Sequence, residues 1–198
     1  MVLLARVVEP NEVDAAAAAL AGAFLDDPVW SWAFDDPEHR PEQLAALWGL
    51  FVAGAVAHRW VWTTANVEAV SLWIPPGSPE LVEPHASRLA PLLVELLGPR
   101  SALVAEVFES FEAARPRHEP YFYLSLFGTD PAHRGQGIGM RLLAENLARI
   151  DTAQMPAYLE SSNPANEGRY ESVGFENVGE FALPDNGPRV TTMWRPAQ

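Results

Sequence analysis

The chain alternates between two patterns of apolar residues. Short apolar or alternating stretches have the length of β-strands, and the stretches between them repeat their apolar positions every three or four residues, as helices do. The predicted strands are residues 2–8, 60–63, 68–74, 121–127, 157–161, 175–183 and 190–195. Strands that alternate with helices in this way predict a mixed α/β domain.

The segment around residue 130 has the clearest pattern. Residues 121–127 are almost all apolar, which predicts a central strand covered on both faces. The helix after it has an apolar face formed by Met140, Leu143, Leu147 and Ile150, spaced by three, four and three residues. The other predicted helices are residues 10–24, 41–57, 78–114 and 166–173.

The length and the even composition predict one domain over residues 1–198. A domain usually has roughly 100–200 residues, and no internal repeat or low-complexity linker divides this chain. Residues 78–118 are expected to be a helical insertion between two strands.

Composition removes several kinds of chemistry. All 13 basic residues are arginine, so there is no lysine, and there is no cysteine. Without lysine, Schiff-base enzymes and the phosphate-binding lysine of P-loop proteins are excluded. Without cysteine, disulfides, thiolate nucleophiles and cysteine-bearing metal sites are excluded. The five histidines lack the spacing of metal ligands, and we predict no metal site.

The formal charge of −13 argues against binding to nucleic acids or to anionic membranes, since both need basic patches. Residues 1–5 are apolar but lack the basic start and cleavage pattern of a signal peptide. No apolar stretch approaches the ~20 residues of a membrane span. We therefore expect a cytoplasmic protein.

A glycine-rich turn separates the central strand from the periodic helix. Residues 128–140 read Gly-Thr-Asp-Pro-Ala-His-Arg-Gly-Gln-Gly-Ile-Gly-Met. Glycines let the backbone approach a ligand, and the unpaired N–H groups at a helix start attract phosphate. A dinucleotide fingerprint requires G-x-G-x-x-G in the first strand–helix turn. Here the glycines fall as G-x-G-x-G and late in the chain, so the pattern predicts a pyrophosphate cradle of another kind.

Two motifs resemble the signatures of the GNAT N-acetyltransferases. Arg134-x-x-Gly137-x-Gly139 is similar to R/Q-x-x-G-x-G/A, and about 30 residues later Asn163 is followed by Tyr170-x-x-x-Gly174-Phe175. The resemblance extends to enzymes similar to puromycin N-acetyltransferase through residues 23–28, 70–76 and 120–124. Two positions depart from that pattern: Arg134 stands where glutamine is frequent, and Thr129 where valine is usual.

The resemblance implies the GNAT fold, a mixed and mostly antiparallel sheet that is flanked by helices and splayed at the cofactor cleft. It also implies acetyl-CoA as the co-substrate. The backbone of Phe127, Gly128 and Thr129 would run beside the pantetheine arm, and Asn163 would bond the cofactor or, as the alternative, cap the short helix after it. The pyrophosphate would lie on Arg134, Gly135, Gln136, Gly137, Ile138, Gly139 and Met140.

Acetyl transfer to an amine needs a proton donor for the leaving thiolate and a proton acceptor for the amine. Tyr170 is the predicted donor, because a phenol stays protonated at neutral pH. Glu160, on the strand before the second motif, is the first candidate for the base. His118 is the second, and Glu68 is a weaker third.

The resemblance implies an acceptor pocket lined by the connection between the first helices, and the predicted acceptor is a small-molecule primary amine. Residues with carboxylate or aromatic side chains stand there: Asp26, Asp27, Trp30, Trp32 and Phe34. Such groups suit an amine with a flat apolar body, although turn aspartates and core aromatics are the alternative. The 78–114 helices would close over the acceptor or join two copies in a homodimer.

The sequence thus predicts a GNAT N-acetyltransferase that transfers the acetyl group directly within a ternary complex. Two alternatives remain. One is a coenzyme A-binding sensor that keeps the cradle without transfer, and the other is a nucleotide-binding α/β protein.

Overall fold

The computed structural model describes residues 5–198, and within them seven strands form one sheet. The order across the sheet is β1-β2-β3-β4-β5-β7-β6. The strands are β1 (Arg6–Val7), β2 (Val61–Thr63), β3 (Ala69–Ile74), β4 (Phe122–Thr129), β5 (Ala157–Ser161), β6 (Glu176–Ala182) and β7 (Arg189–Arg195).

Helices fill most of the chain between the strands. They are α1 (Val13–Phe24), α2 (Pro28–Ala33), α3 (Arg40–Ala55), α4 (His85–Leu97), α5 (Ser101–Ala114), α6 (Ile138–Thr152) and α7 (Glu167–Glu171). Asp27 caps α2 by accepting hydrogen bonds from the amides of Val29 and Trp30. No helix within residues 5–198 has the length and apolarity that a membrane span needs.

The sheet is antiparallel except at its centre. Among the described strand pairs, only β4 and β5 run parallel, and their register extends from Phe122–Ala157 to Leu124–Leu159. Beyond that point β4 continues to Thr129 and β5 to Ser161 without pairing to each other. The two strands therefore diverge, and a cleft opens between their carboxyl ends.

The core lies on both faces of the sheet, which fixes the strands beside this cleft. Leu143, Leu147 and Ile150 of α6 pack with Trp73 on one face. Leu72, the neighbour of Trp73 on β3, packs on the opposite face with residues of α1, α3 and α5. Every residue of β3 is buried, as a strand covered on both sides must be.

The structure confirms the mixed α/β prediction, and each predicted strand after the first has a counterpart within a few residues. Residues 1–4 of the first predicted strand lie outside the described residues. One expectation about the helices is wrong, and one helix was missed. The helix predicted from residue 78 begins at His85, because Pro75, Pro76, Pro79 and Pro84 interrupt the preceding stretch. Helix α2 was not predicted at all, since its six residues are too few to show a period.

Candidate active site

A cavity of about 490 Å³ occupies the cleft between β4 and β5. The carboxyl ends of both strands line it, together with the glycine-rich turn, α7, the end of α1, and side chains from α2, α3 and α5. A volume of this size suits a small molecule. Most of the residues that the sequence singled out therefore meet in one place.

The end of β4 presents a free backbone edge to the cavity. Phe127, Gly128 and Thr129 pair with β3 on one side, and on the other side β5 has already diverged. All three residues line the cavity. Backbone N–H and C=O groups on such an edge need partners, so an extended ligand can pair with them as a strand would.

The first turn of α6 is open at its N-terminus. Gly137 precedes the helix with φ of 70°, a left-handed conformation that favours glycine, and no side chain caps the helix there. At Gly139, an added Cβ would overlap the Thr129 hydroxyl and approach a Phe127 ring carbon to 3.3 Å. The helix start therefore lies directly against β4 and offers unpaired N–H groups and a positive dipole end to an anion.

Two residues of the predicted cradle depart from the expected arrangement. Arg134 lines the cavity, but its Nη2 donates to the carbonyl oxygens of Ala23 at 2.9 Å and Gly22 at 3.3 Å, which fastens the turn to the end of α1. Gln136 is the one predicted cradle residue that does not line the cavity. Backbone groups therefore provide most of the cradle, and Arg134 adds a positive charge at its rim.

Asn163 acts as a capping residue, which was the alternative to its role in binding the cofactor. Its Oδ1 accepts a hydrogen bond from the amide of Ala165 at 3.0 Å, and it caps the 3₁₀ turn Pro164–Asn166. Asn163 also lines the cavity, so its side-chain NH₂ group remains available to a ligand. The cap and the ligand contact use different atoms and are compatible.

Tyr170 lies half-buried against the end of β4. Its ring centroid is 6.4 Å from that of Phe127 and 6.2 Å from that of Phe175, and it lines the cavity. Burial raises the pKa of the Tyr170 hydroxyl above its ordinary value, and the negative charge of Asp27 raises it further. The hydroxyl therefore stays protonated throughout the neutral range and can donate a proton.

Glu160 projects into the same cavity from β5. Its Oε1 is buried and has no hydrogen-bond partner among the described residues. Burial raises the pKa of Glu160 to about 8, against the opposing effect of the Arg115 cation. A carboxyl group with that pKa can take up a proton near neutral pH.

The other two candidates for the base lie outside this cavity. Glu68 accepts hydrogen bonds from the hydroxyl of Thr64 and the side chain of Asn66, which lower its pKa to about 2. His118 is exposed, with its Nε2 3.3 Å from a carboxylate oxygen of Glu119. Neither side chain lines the cavity, so the geometry favours Glu160.

Three cavity residues that sequence reasoning missed form an ionic network beside Glu160. Arg115, just after α5, forms an ion pair with Glu80, and Glu80 accepts a hydrogen bond from the hydroxyl of Ser125. Ser125 is the extra residue of a β-bulge, since its neighbours Leu124 and Leu126 pair with consecutive residues of β3. Bulges of this kind re-aim a side chain, but no sequence pattern marked this one.

The predicted acceptor residues divide into two groups. Asp26, Asp27 and Trp30 line the cavity. Asp27 is buried and also accepts a hydrogen bond from the hydroxyl of Ser162 at 2.7 Å, linking α2 to the end of β5. Trp32 and Phe34 do not line it: Trp32 packs under the Arg100 guanidinium, and Phe34 is fully buried in the core. Trp32 and Phe34 therefore pack in or against the core, as the alternative interpretation stated.

Comparison with known proteins gives this arrangement a family. Residues 109–195 match the family described as Acetyltransferase (GNAT) domain, and they contain the end of α5, the glycine turn, Glu160 and Tyr170. Those residues are similar to a GNAT acetyltransferase domain.

The rest of the chain resembles GNAT proteins as well. An uncharacterized N-acetyltransferase of Schizosaccharomyces pombe is 25% identical over 183 residues, which are 87% of this chain and 74% of that relative. A crystal structure described as histone acetyltransferase HPA2 and related acetyltransferase of Corynebacterium glutamicum has a TM-score of 0.70 and 21% identity, with 100% of this chain and 98% of that chain covered. The structure of a polyamine N-acetyltransferase of Drosophila melanogaster has a TM-score of 0.64 and 14% identity, with 98% of this chain and 99% of that chain covered.

The GNAT fold predicted from the two motifs is therefore confirmed, and the protein is an N-acetyltransferase. GNAT acetyltransferases use acetyl-CoA as co-substrate. The residues of this cavity fit that molecule, because an open helix N-terminus and a free strand edge meet at Gly139. The doubly wound parallel sheet of a dinucleotide-binding protein is not what the described strands form.

Proposed function

We propose that this protein transfers the acetyl group of acetyl-CoA directly to the primary amine of a small molecule, within a ternary complex. The observation that carries the proposal is that Glu160 and Tyr170 line one cavity with the glycine turn. A proton acceptor, a proton donor and a phosphate cradle thus surround a single space. With no cysteine in the chain, a thiol-bound acetyl-enzyme cannot form.

The cradle and the β4 edge would hold the co-substrate, which supplies an acetyl group on a thioester when bound. The amides at the start of α6 would bind the pyrophosphate, with the Arg134 charge close by. An N–H group of residues 127–129 would donate to the acetyl carbonyl oxygen, and Asn163 would bond the pantetheine arm. These contacts position the acetyl carbon for attack.

Glu160 would act as the base. It would accept one proton from the substrate ammonium, directly or through water, and so free the lone pair that forms the new C–N bond. Tyr170 would give its hydroxyl proton to the sulfur as the C–S bond breaks. Tyr170 starts protonated, as its step requires, and Glu160 becomes the unprotonated base as the pH rises through about 8.

Single substitutions test these two roles. Tyr170→Phe and Glu160→Gln should each lower turnover by about 100-fold or more, the usual contribution of general acid–base catalysis. The measurement is release of free thiol from acetyl-CoA with a panel of aminonucleosides, polyamines, arylamines and peptide N-termini. Tyr121→Phe is the matched control, since that tyrosine does not line the cavity.

Binding separates catalysis from folding. Acetyl-CoA should raise the thermal midpoint of both variants as much as that of the wild type, because neither side chain forms the cradle. Near-wild-type turnover by Tyr170→Phe would refute its role as the acid. Saturable acetyl-CoA binding with no turnover on any amine would instead support the coenzyme A-binding sensor.

Three finer expectations belong to this proposal. Specificity similar to that of puromycin N-acetyltransferase is one, and the aminonucleosides in the panel test it. A homodimer is another, and sedimentation in an analytical ultracentrifuge would detect it. The third is a role for α5 in the acceptor site, supported by Phe108 and Phe111, which line the cavity.

A further inference from the structure

Five aromatic side chains from three helices wall one part of the active-site cavity. They are Trp30 of α2, Trp48 and Phe51 of α3, and Phe108 and Phe111 of α5. The rings of Trp30 and Phe111 are stacked, with centroids 6.1 Å apart, and those of Phe51 and Phe108 are stacked at 5.5 Å. Flat rings that face a cavity provide faces and edges on which another flat ring packs.

Asp26 lines the cavity but is exposed, and the charges in the buried part leave one carboxylate for a cation. Glu80 is paired with Arg115, so these two charges compensate each other. Asp27 is buried and already accepts hydrogen bonds from two amides and the Ser162 hydroxyl. Glu160 has no ion-pair partner within the described residues. The buried part of the cavity therefore complements one ammonium group rather than two.

An unpaired donor gives a second indication of the ligand. Trp48 is fully buried, and its indole Nε1–H has no hydrogen-bond acceptor among residues 5–198. Trp48 also lines the cavity. A buried N–H group without a partner costs free energy, and an oxygen on a bound molecule would satisfy it.

From these observations we infer that the acetyl acceptor is an arylalkylamine whose ring bears a hydrogen-bond-accepting oxygen. The ring would pack among the five aromatic side chains, the oxygen would accept from Trp48 Nε1, and the amine would reach Glu160. This inference rests on the proposed function and narrows its substrate class.

Four amines test it by kcat/KM with acetyl-CoA. They are 4-methoxyphenethylamine, 4-ethylphenethylamine of nearly the same shape, n-hexylamine without a ring, and putrescine with two charges. Both aromatic amines should exceed n-hexylamine and putrescine by at least about tenfold, because only they pack against the rings. The methoxy compound should exceed the ethyl compound by about tenfold, because only its oxygen accepts the indole N–H.

Trp48→Phe should abolish the difference between the methoxy and ethyl compounds, whereas Trp60→Phe, outside the cavity, should keep it. If Trp48→Phe does not fold, the half-buried Phe108 provides a second variant. Phe108→Leu should lower kcat/KM for both aromatic amines by a larger factor than for n-hexylamine, because only a substrate ring loses a ring–ring contact.

Equal or better turnover of n-hexylamine or putrescine would overturn this inference and leave the proposed acetyl transfer intact. Equal turnover of the methoxy and ethyl compounds would overturn the contact given to Trp48. Absence of turnover with every amine, despite acetyl-CoA binding, would refute the proposed function itself.

Discussion

Glu160 and Tyr170 show how surroundings divide two titratable side chains between two tasks. Both line the cavity, and burial raises the pKa of each. For a carboxyl group, the increase brings the pKa to about 8, where it can exchange protons at neutral pH. For a phenol, the same increase only strengthens its hold on the proton. One physical cause would thus prepare the proposed base and the proposed acid in the same cavity.

The Arg115–Glu80 pair should tune that base. The groups that act on Glu160 are Arg115, Glu80 and the hydroxyls of Tyr123 and Tyr158, and of these Arg115 lowers its pKa whereas Glu80 raises it. A base must be unprotonated, so kcat/KM should rise as the pH increases through a value near 8. Arg115→Met should move this limb to higher pH, and Glu80→Gln should move it to lower pH.

The opposite signs are the decisive feature of that experiment. Both substitutions break the same ion pair, so a purely structural role would change activity in the same sense and leave the limb in place. The measurement is a pH profile of kcat/KM from pH 6 to 10 for the wild type and the two variants. Ser101→Ala, outside the cavity, controls for the substitution itself. Shifts in the same direction would contradict electrostatic tuning of Glu160.

At the scale of elements, the sequence predicted the parts of the site that are contiguous in the chain. The strand–turn–helix of residues 121–152 carries its period, its glycines and its open helix start within one segment. Glu80 and Arg115 are 35 residues apart and meet only because α4 and α5 lead the chain back to β4. No local pattern encodes that contact, so the network was missed although both side chains line the cavity.

The contact between α6 and β4 has its own test. Gly139→Ala would place a methyl group onto the Thr129 hydroxyl and against Phe127, so the helix start must move away from the strand. We expect a stability loss of about 1–3 kcal/mol, typical of overpacking. The Kd for coenzyme A should increase at least about tenfold, because the cradle amides and the strand edge would no longer be aligned.

Gly168→Ala is the matched control, since an added Cβ there has no heavy atom within 4 Å. Calorimetric titration with coenzyme A measures Kd for both variants, and thermal unfolding measures their stability. Wild-type affinity in a folded Gly139→Ala variant would show that the close approach of α6 and β4 does not shape the cradle.

At the scale of the whole molecule, a charge of −13 has to be reconciled with an anionic co-substrate. The cavity lining is nearly balanced, with four acidic residues, Asp26, Asp27, Glu80 and Glu160, and three arginines, Arg115, Arg134 and Arg169. Two of these arginines lie on the glycine turn and on α7, beside the predicted cradle. In the proposed binding mode, phosphate would be bound locally, by amides and nearby cations, while the remaining surface stays acidic.

That acidic surface should attract a cationic amine and repel coenzyme A. Salt screens both effects, since the Debye length decreases to about 8 Å at 0.15 M ionic strength and about 3 Å at 1 M. Raising NaCl from 0.02 to about 0.5 M should therefore lower kcat/KM for the amine, which loses its attraction, and raise kcat/KM for acetyl-CoA, which loses its repulsion. Turnover at saturation should change little, because the charges inside the cavity are poorly screened.

Steady-state kinetics with each substrate varied in turn measure the two slopes of kcat/KM against salt concentration, one for the amine and one for acetyl-CoA. Slopes of the same sign would indicate a general effect of salt on the enzyme, and two flat lines would mean that the net charge takes no part in substrate capture.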